Sequence, residues 1–201
     1  MNTIGRKILK PEYQLKIEKI ILQIINKPFV RNVSVIMGRN TSAHIINFIA
    51  SPIVTRIFSP EKIGALGVFI SFVNLITPIS FLGYGYAIVV PIKDEDSKKL
   101  LNFSVVIGLM VSLILIFILN TFRQPIARLV DVEDYSSYLF LIAPMLFFSV
   151  LIICYDNWLV RIKAYKESSI ITIIKSLVKN MGLIGIGFFI PGFVTLILIN
   201  L

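Results

Sequence analysis

The chain reads as an all-α, polytopic transmembrane helix bundle with five full spans and the start of a sixth. Three observations carry that reading. Hydrophobic residues make up 56% of the sequence and charged residues only 15%, with a mean hydropathy of +0.86. A soluble domain is about a quarter charged, so this chain has too few charges to cover a water-facing surface. The apolar residues also fall in continuous blocks of about 20, the length that spans a bilayer at about 1.5 Å per residue. Finally, most of the charges lie between those blocks. The runs are continuous rather than alternating, which argues against a β-barrel.

Residues 1–32 are basic and mixed. Tyr13, Ile17, Ile20, Ile21 and Ile24 recur at helical spacing among Glu12, Lys16, Glu18 and Lys19. That pattern predicts an amphipathic helix after Pro11, lying on the cytoplasmic membrane surface. No apolar core followed by a small-residue cleavage site is present there, so no cleavable signal peptide is expected. The membrane bundle is expected over residues 33–201.

The first span is expected over 33–58. Along it Asn40, His44, Asn47, Ser51 and Thr55 share one helical face, and Arg39 flanks that face. Lipid cannot satisfy a polar stripe, so these residues are expected to face protein or a water-filled cavity. Ser59-Pro60-Glu61-Lys62 reads as a turn, with Pro60 placed to open the next helix. The second span is expected over 63–92, kinked at Pro78. Ser71, Asn74 and Thr77 share one of its sides and extend the stripe. Lys93–Lys99, with its triplet Asp94, Glu95 and Asp96, reads as a solvated connector. No histidine or further carboxylate lies nearby to complete a metal shell.

The third span, 101–120, is the most uniformly apolar. Ser104, Gly108 and Ser112 form a small-xxx-small ladder, which reads as a packing seam. The loop 121–134 has room for one short interfacial helix. The fourth span is expected over 135–159, with Tyr135 and Tyr138 at one end and Tyr155 and Trp158 at the other as interface anchors. Asp156 reads as an interfacial residue. The fifth span is expected over 168–190, where Thr172, Lys175, Ser176 and Lys179 share a face. Lys179 lies about 17 Å along that helix, near the midplane. A lysine at that depth is a functional candidate by default. Pro191-Gly192 breaks the run, and 192–201 opens a sixth helix.

Basic residues set the orientation. With the amino terminus inside, thirteen lysines and arginines fall on inside segments and four on outside turns, namely Arg56, Lys62, Arg123 and Arg128. The positive-inside rule then places the amino terminus in the cytoplasm, and the cytoplasmic (inner) membrane is the expected location. The net charge of +9 is accounted for by topology, so no nucleic-acid partner is expected. Cys154 is the single cysteine, which excludes an intramolecular disulfide.

The stretch from Pro52 through Thr55-Arg56-Ile57-Phe58, Ser59-Pro60-Glu61 and Ile63-Gly64 to Leu82-Gly83-Tyr84-Gly85 resembles the amino-terminal hairpin of polysaccharide-export flippases. These are the O-antigen and capsule transporters of the multidrug/oligosaccharidyl-lipid/polysaccharide superfamily. Trp158-Leu159-Val160-Arg161-Ile162-Lys163-Ala164-Tyr165-Lys166 resembles that family's loop between the fourth and fifth helices. The resemblance implies the amino-terminal bundle of a two-bundle flippase, so the chain is expected to be one half or a truncated product. It further implies translocation of a polyprenyl-diphosphate-linked oligosaccharide by alternating access, for O-antigen, capsule or exopolysaccharide biosynthesis. Membrane lipid, a polysaccharide polymerase and a chain-length regulator are the implied partners.

No P-loop, H-E-x-x-H, G-x-S-x-G or paired-cysteine signature is present. No cofactor, metal or enzymatic activity is therefore expected. The helical segments hold three cations, Arg39, Lys175 and Lys179, which suit an anionic substrate. The expected cavity residues for diphosphate and sugar are Arg39, Asn40, His44, Asn47, Asn74, Lys175 and Lys179. The alternatives are a drug or cation antiporter of the same superfamily, which would favour acidic cavity residues, and an inactive membrane fragment.

Overall fold

The computed structural model describes residues 27–200, with side chains from residue 37 onward. In chain order the helices are α1 (Lys27–Ile57), α2 (Pro60–Ser80), α3 (Tyr84–Ala87), α4 (Asp94–Thr121) and α5 (Arg123–Leu129). A 3₁₀ segment (Glu133–Leu141) then runs into α6 (Ile142–Arg161), followed by α7 (Tyr165–Phe189) and α8 (Phe193–Asn200). There is no strand among the described residues. The amphipathic helix expected over residues 13–24 lies outside the described residues.

Among the described residues, four segments are long and apolar enough to cross a membrane: α2, α4, Glu133–Arg161 and α7. α1 has the length, at 31 residues. Its polar stripe and its charges leave it outside the set that qualifies on composition. Length and composition by themselves thus support four spans among the described residues.

Helix α6 is the hub. Helix α2 runs parallel to it, from a cluster containing Phe69 and Ile142 to one containing Phe81 and Cys154. Helix α4 runs antiparallel to it, so Leu119 joins the Ile142 cluster while Leu101 packs in the Cys154 cluster. The small-residue ladder is the seam: Ser104, Gly108 and Ser112 are all buried. A Cβ at Gly108 would fall 2.7 Å from a Val150 methyl, so the absence of a side chain there is what lets α4 reach α6. Helix α1 packs mainly along α7, and a Cβ at Gly187 would fall 2.6 Å from the Phe58 ring.

The ends are closed by local chemistry. Ser59 is extended and Pro60 opens α2, where its missing N–H costs nothing. Lys62 Nζ donates to the Pro191 carbonyl at 2.7 Å, tying this turn to the α7–α8 link. Phe193 then plugs that end. Its ring centroid lies 5.3 Å from that of Phe69, 4.2 Å from Tyr135 and 5.6 Å from Tyr138. Tyr135 and Tyr138 are thus half-buried and pack on Phe193 at this end of the bundle.

Two boundaries differ from expectation. The second helix does not run kinked through Pro78 to 92 but stops at Ser80. Leu82 and Gly83 take positive φ values of 51° and 74°. The Gly83 and Leu82 N–H groups donate back to the Pro78 and Ile79 carbonyls, which is the Schellman closure. Gly83 tolerates this conformation without a Cβ penalty. The second correction concerns the Asp94, Glu95 and Asp96 triplet, which is the first turn of α4 and not a loop. Carboxylates there complement the partial positive charge of a helix amino terminus, so a cluster that looks like a connector instead starts the helix.

Arg161, at the end of α6, holds the opposite end together. Its guanidinium donates to Asp94 Oδ1 at 2.9 and 3.1 Å and to the Pro91 carbonyl at 2.6 Å. It also reaches the carbonyls of Val89 and Ile92. These carbonyls follow the four-residue α3 and have no helix to satisfy them.

Candidate functional site

Helices α1 and α7 run parallel and touch at polar positions at two levels, while Asn40, His44, Ser51 and Thr55 of the α1 stripe stay exposed. Arg39 meets Ser168, Asn47 meets Asn180 and Phe58 meets Gly187, in that order from one end to the other. A recurring polar face on each partner therefore stays in register over several turns.

At the Arg39 end, α6 joins the pair. Arg39 Nη1 donates to Asp156 Oδ1 at 2.9 Å and to the Ser168 hydroxyl, and that hydroxyl donates to the same Asp156 oxygen. Arg39 Nε reaches Asn40 Oδ1 at 3.3 Å. The Arg39 side chain is 13% exposed and that of Asp156 40%, so the ion pair faces a cleft rather than the core. The cleft is about 490 Å³, and Arg39, Asn40, Tyr155, Asp156, Thr172 and Lys175 provide its polar lining. Leu151, Ile152, Leu159 and Ile171 supply the apolar walls.

One level further along, Asn180 Nδ2 donates to Asn47 Oδ1 and to the Ser176 carbonyl, both at 2.8 Å. A second cleft of about 250 Å³ lies there, between α1, α2, α7 and α8. Asn47, Ser51, Thr55, Lys179, Asn180 and Asn200 line its polar part. Lys175 and Lys179 are one turn apart on α7 and serve different clefts.

Of the expected cavity residues, the structure brings Arg39, Asn40 and Lys175 together in the larger cleft, and Asn47 and Lys179 in the smaller one. His44 and Asn74 are exposed and line neither. Asn74 sits on α2, away from the α1–α7 seam. Sequence reasoning missed Asp156, Ser168 and Asn180 as members of the site. The signal for Asn180 was present, since it neighbours Lys179 and follows Ser176 by one helical turn. Asp156 carried no comparable signal, because its partner lies 117 positions away. Among the described residues no group of three or more His, Cys, Asp or Glu could hold a metal ion.

This arrangement combines two cations and one carboxylate at a cleft with apolar walls, where α1 meets α6 and α7, the latter two being long and apolar enough to cross a membrane. Such a site suits an anionic head group attached to an apolar tail. No curated protein and no solved structure matches the chain. The family model described as polysaccharide biosynthesis protein matches residues 29–201, and the chain belongs to that family.

Proposed function

We propose that this chain forms a helical bundle of a flippase that carries a polyprenyl-diphosphate-linked oligosaccharide across the cytoplasmic membrane for O-antigen, capsule or exopolysaccharide biosynthesis. It acts as a transporter and not as an enzyme. The observation that carries the reading is the pair of cationic clefts along α1 and α7, in a chain whose family concerns polysaccharide biosynthesis. The diphosphate engages Arg39 and Lys175, with Lys179 next along the seam. Asn40 and Asn47 offer amide groups to the sugars, and the lipid tail stays in the bilayer. Alternating access moves this bundle against a second one. A polysaccharide polymerase and a chain-length regulator take the product.

The parallel packing of α1 on α7 supports a five-span topology with the start of a sixth. Helix α1 keeps pace with a membrane-length helix from Arg39 to Phe58, and α7 shields part of its polar stripe from lipid. The amino terminus is cytoplasmic by the distribution of basic residues. Asp156 is the one observation that favours a cation or drug antiporter. Its pairing with Arg39 leaves positive charge in excess at the cleft, which favours the anionic substrate.

The test uses cells whose surface polysaccharide depends on this gene. Arg39→Ala and Lys179→Ala are expected to abolish surface polysaccharide with the protein level unchanged. Normal export by both variants would overturn the phosphate-binding role.

A further inference from the structure

Arg39 is held by a carboxylate that a diphosphate could replace. Its Nη1 already serves Asp156 Oδ1 and the Ser168 hydroxyl, while Nη2 and the second Asp156 oxygen have no hydrogen-bond partner among the described residues. Both side chains line the larger cleft. The ring of contacts links three helices: Arg39 on α1, Asp156 on α6 and Ser168 on α7. An arginine this far buried needs a counter-ion, and Asp156 supplies it when the cleft is empty. Lys175 lines the same cleft and is exposed, so one positive charge remains uncompensated there.

We propose that Asp156 is a positioning residue that stands in for the ligand's phosphate at Arg39, so that diphosphate binding exchanges one anion for another and releases α6 from the α1–α7 pair. This rests on the reading of a diphosphate ligand given above. A diphosphate carries more negative charge than a carboxylate. It presents several oxygens to the planar guanidinium fork and can engage Lys175 at the same time. Each state leaves the buried Arg39 paired, and the Asp156 carboxylate that it releases is 40% exposed, so water in the cleft can solvate it. The latch opens only when a competent anion is present, which couples occupancy to movement of α6 through a difference in affinity between two states.

The sole tryptophan, Trp158, lies on α6 two positions beyond Asp156 and packs against the Phe81 and Cys154 cluster beside Lys98, so its emission reports movement of α6 against its α4 neighbours. The experiment uses the full chain in lipid nanodiscs, with radiolabelled farnesyl diphosphate as the lipid-linked probe and inorganic pyrophosphate as the free one. Trp158 emission is recorded in parallel. Asp156→Asn removes the internal competitor and is expected to bind farnesyl diphosphate about three- to tenfold more tightly than the parent. Its Trp158 emission without ligand is expected to match that of the ligand-bound parent. Arg39→Gln is expected to lose at least about tenfold in affinity. Pyrophosphate is expected to follow the same order of variants if the head group alone drives the exchange. A gain confined to farnesyl diphosphate still supports the latch and adds the tail as a requirement. Asp156→Ser is carried alongside, and makes the same comparison if Asp156→Asn does not fold. A carboxylate with only a structural role predicts weaker or unchanged binding in both variants, and that result overturns the proposal while leaving the diphosphate reading in place. A folded parent that binds neither probe overturns both.

Discussion

Gly108 on α4 faces Val150 on α6 so closely that a methyl group added at Gly108 would fall 2.7 Å from the valine Cγ1. Both positions are buried, and they sit at the middle of the seam formed by Ser104, Gly108 and Ser112. Gly108→Ala is therefore expected to overpack the seam and cost about 1–3 kcal/mol of stability. Val150→Ala should relieve that strain, so the double variant should be more stable than the sum of the single effects by about 1 kcal/mol. Reversible unfolding in mixed micelles measures all three. Simple additivity would show that the two residues do not share the contact.

Arg161 is expected to govern the stability of the opposite end. Its side chain is 9% exposed and joins Asp94 to the carbonyls that follow α3. Arg161→Ala should cost about 1.5–3 kcal/mol, because charged hydrogen bonds are lost and the half-buried Pro91 carbonyl is left without this donor. Arg161→Lys should recover little, since an ammonium cannot form the same fork. Limited proteolysis should cut Arg161→Ala first between residues 82 and 94. A parent-like cleavage pattern would remove Arg161 from this role.

The directions of the helices make a topological prediction. Helices α1 and α7 are parallel, α2 and α6 are parallel, and α4 opposes α6. Reporter fusions after Lys62, Ile92, Asp131 and Lys163 should read outside, inside, outside and inside. An amino-terminal tag should read inside. If the tag and the Lys62 fusion report the same side, α1 does not cross the membrane and the five-span topology fails.

The apolar blocks and most of their breaks were legible in the sequence because they follow from local chemistry. Pro60 after Ser59 opens a helix wherever it occurs, and Pro191-Gly192 ends one. The small-residue ladder on α4 could be read from its four-residue spacing, as could the polar face of α1. The Asp94–Asp96 triplet was misread because charge alone does not distinguish a solvated loop from the first turn of a helix. In the structure the triplet takes the favourable place for carboxylates at a helix amino terminus, and Asp94 also accepts from Arg161, 67 positions further along. The second helix ends earlier than its apolar run because Leu82 and Gly83 take positive φ in a local Schellman closure, and hydrophobicity carries no information about that turn.

The sequence by itself determined that this is a helical chain with apolar blocks fit for a membrane, with its basic residues mainly at one set of ends and three cations within helices. Tertiary structure alone decided where those cations lie and what surrounds them. A side chain's charge is a local property, but its partner depends on which helices pack together and in which direction. Parallel packing of α1 on α7 brought Arg39 to Ser168 and Asn47 to Asn180. The approach of α6 then gave Arg39 a carboxylate, placed Lys175 beside that pair in one cleft, and left Lys179 in another.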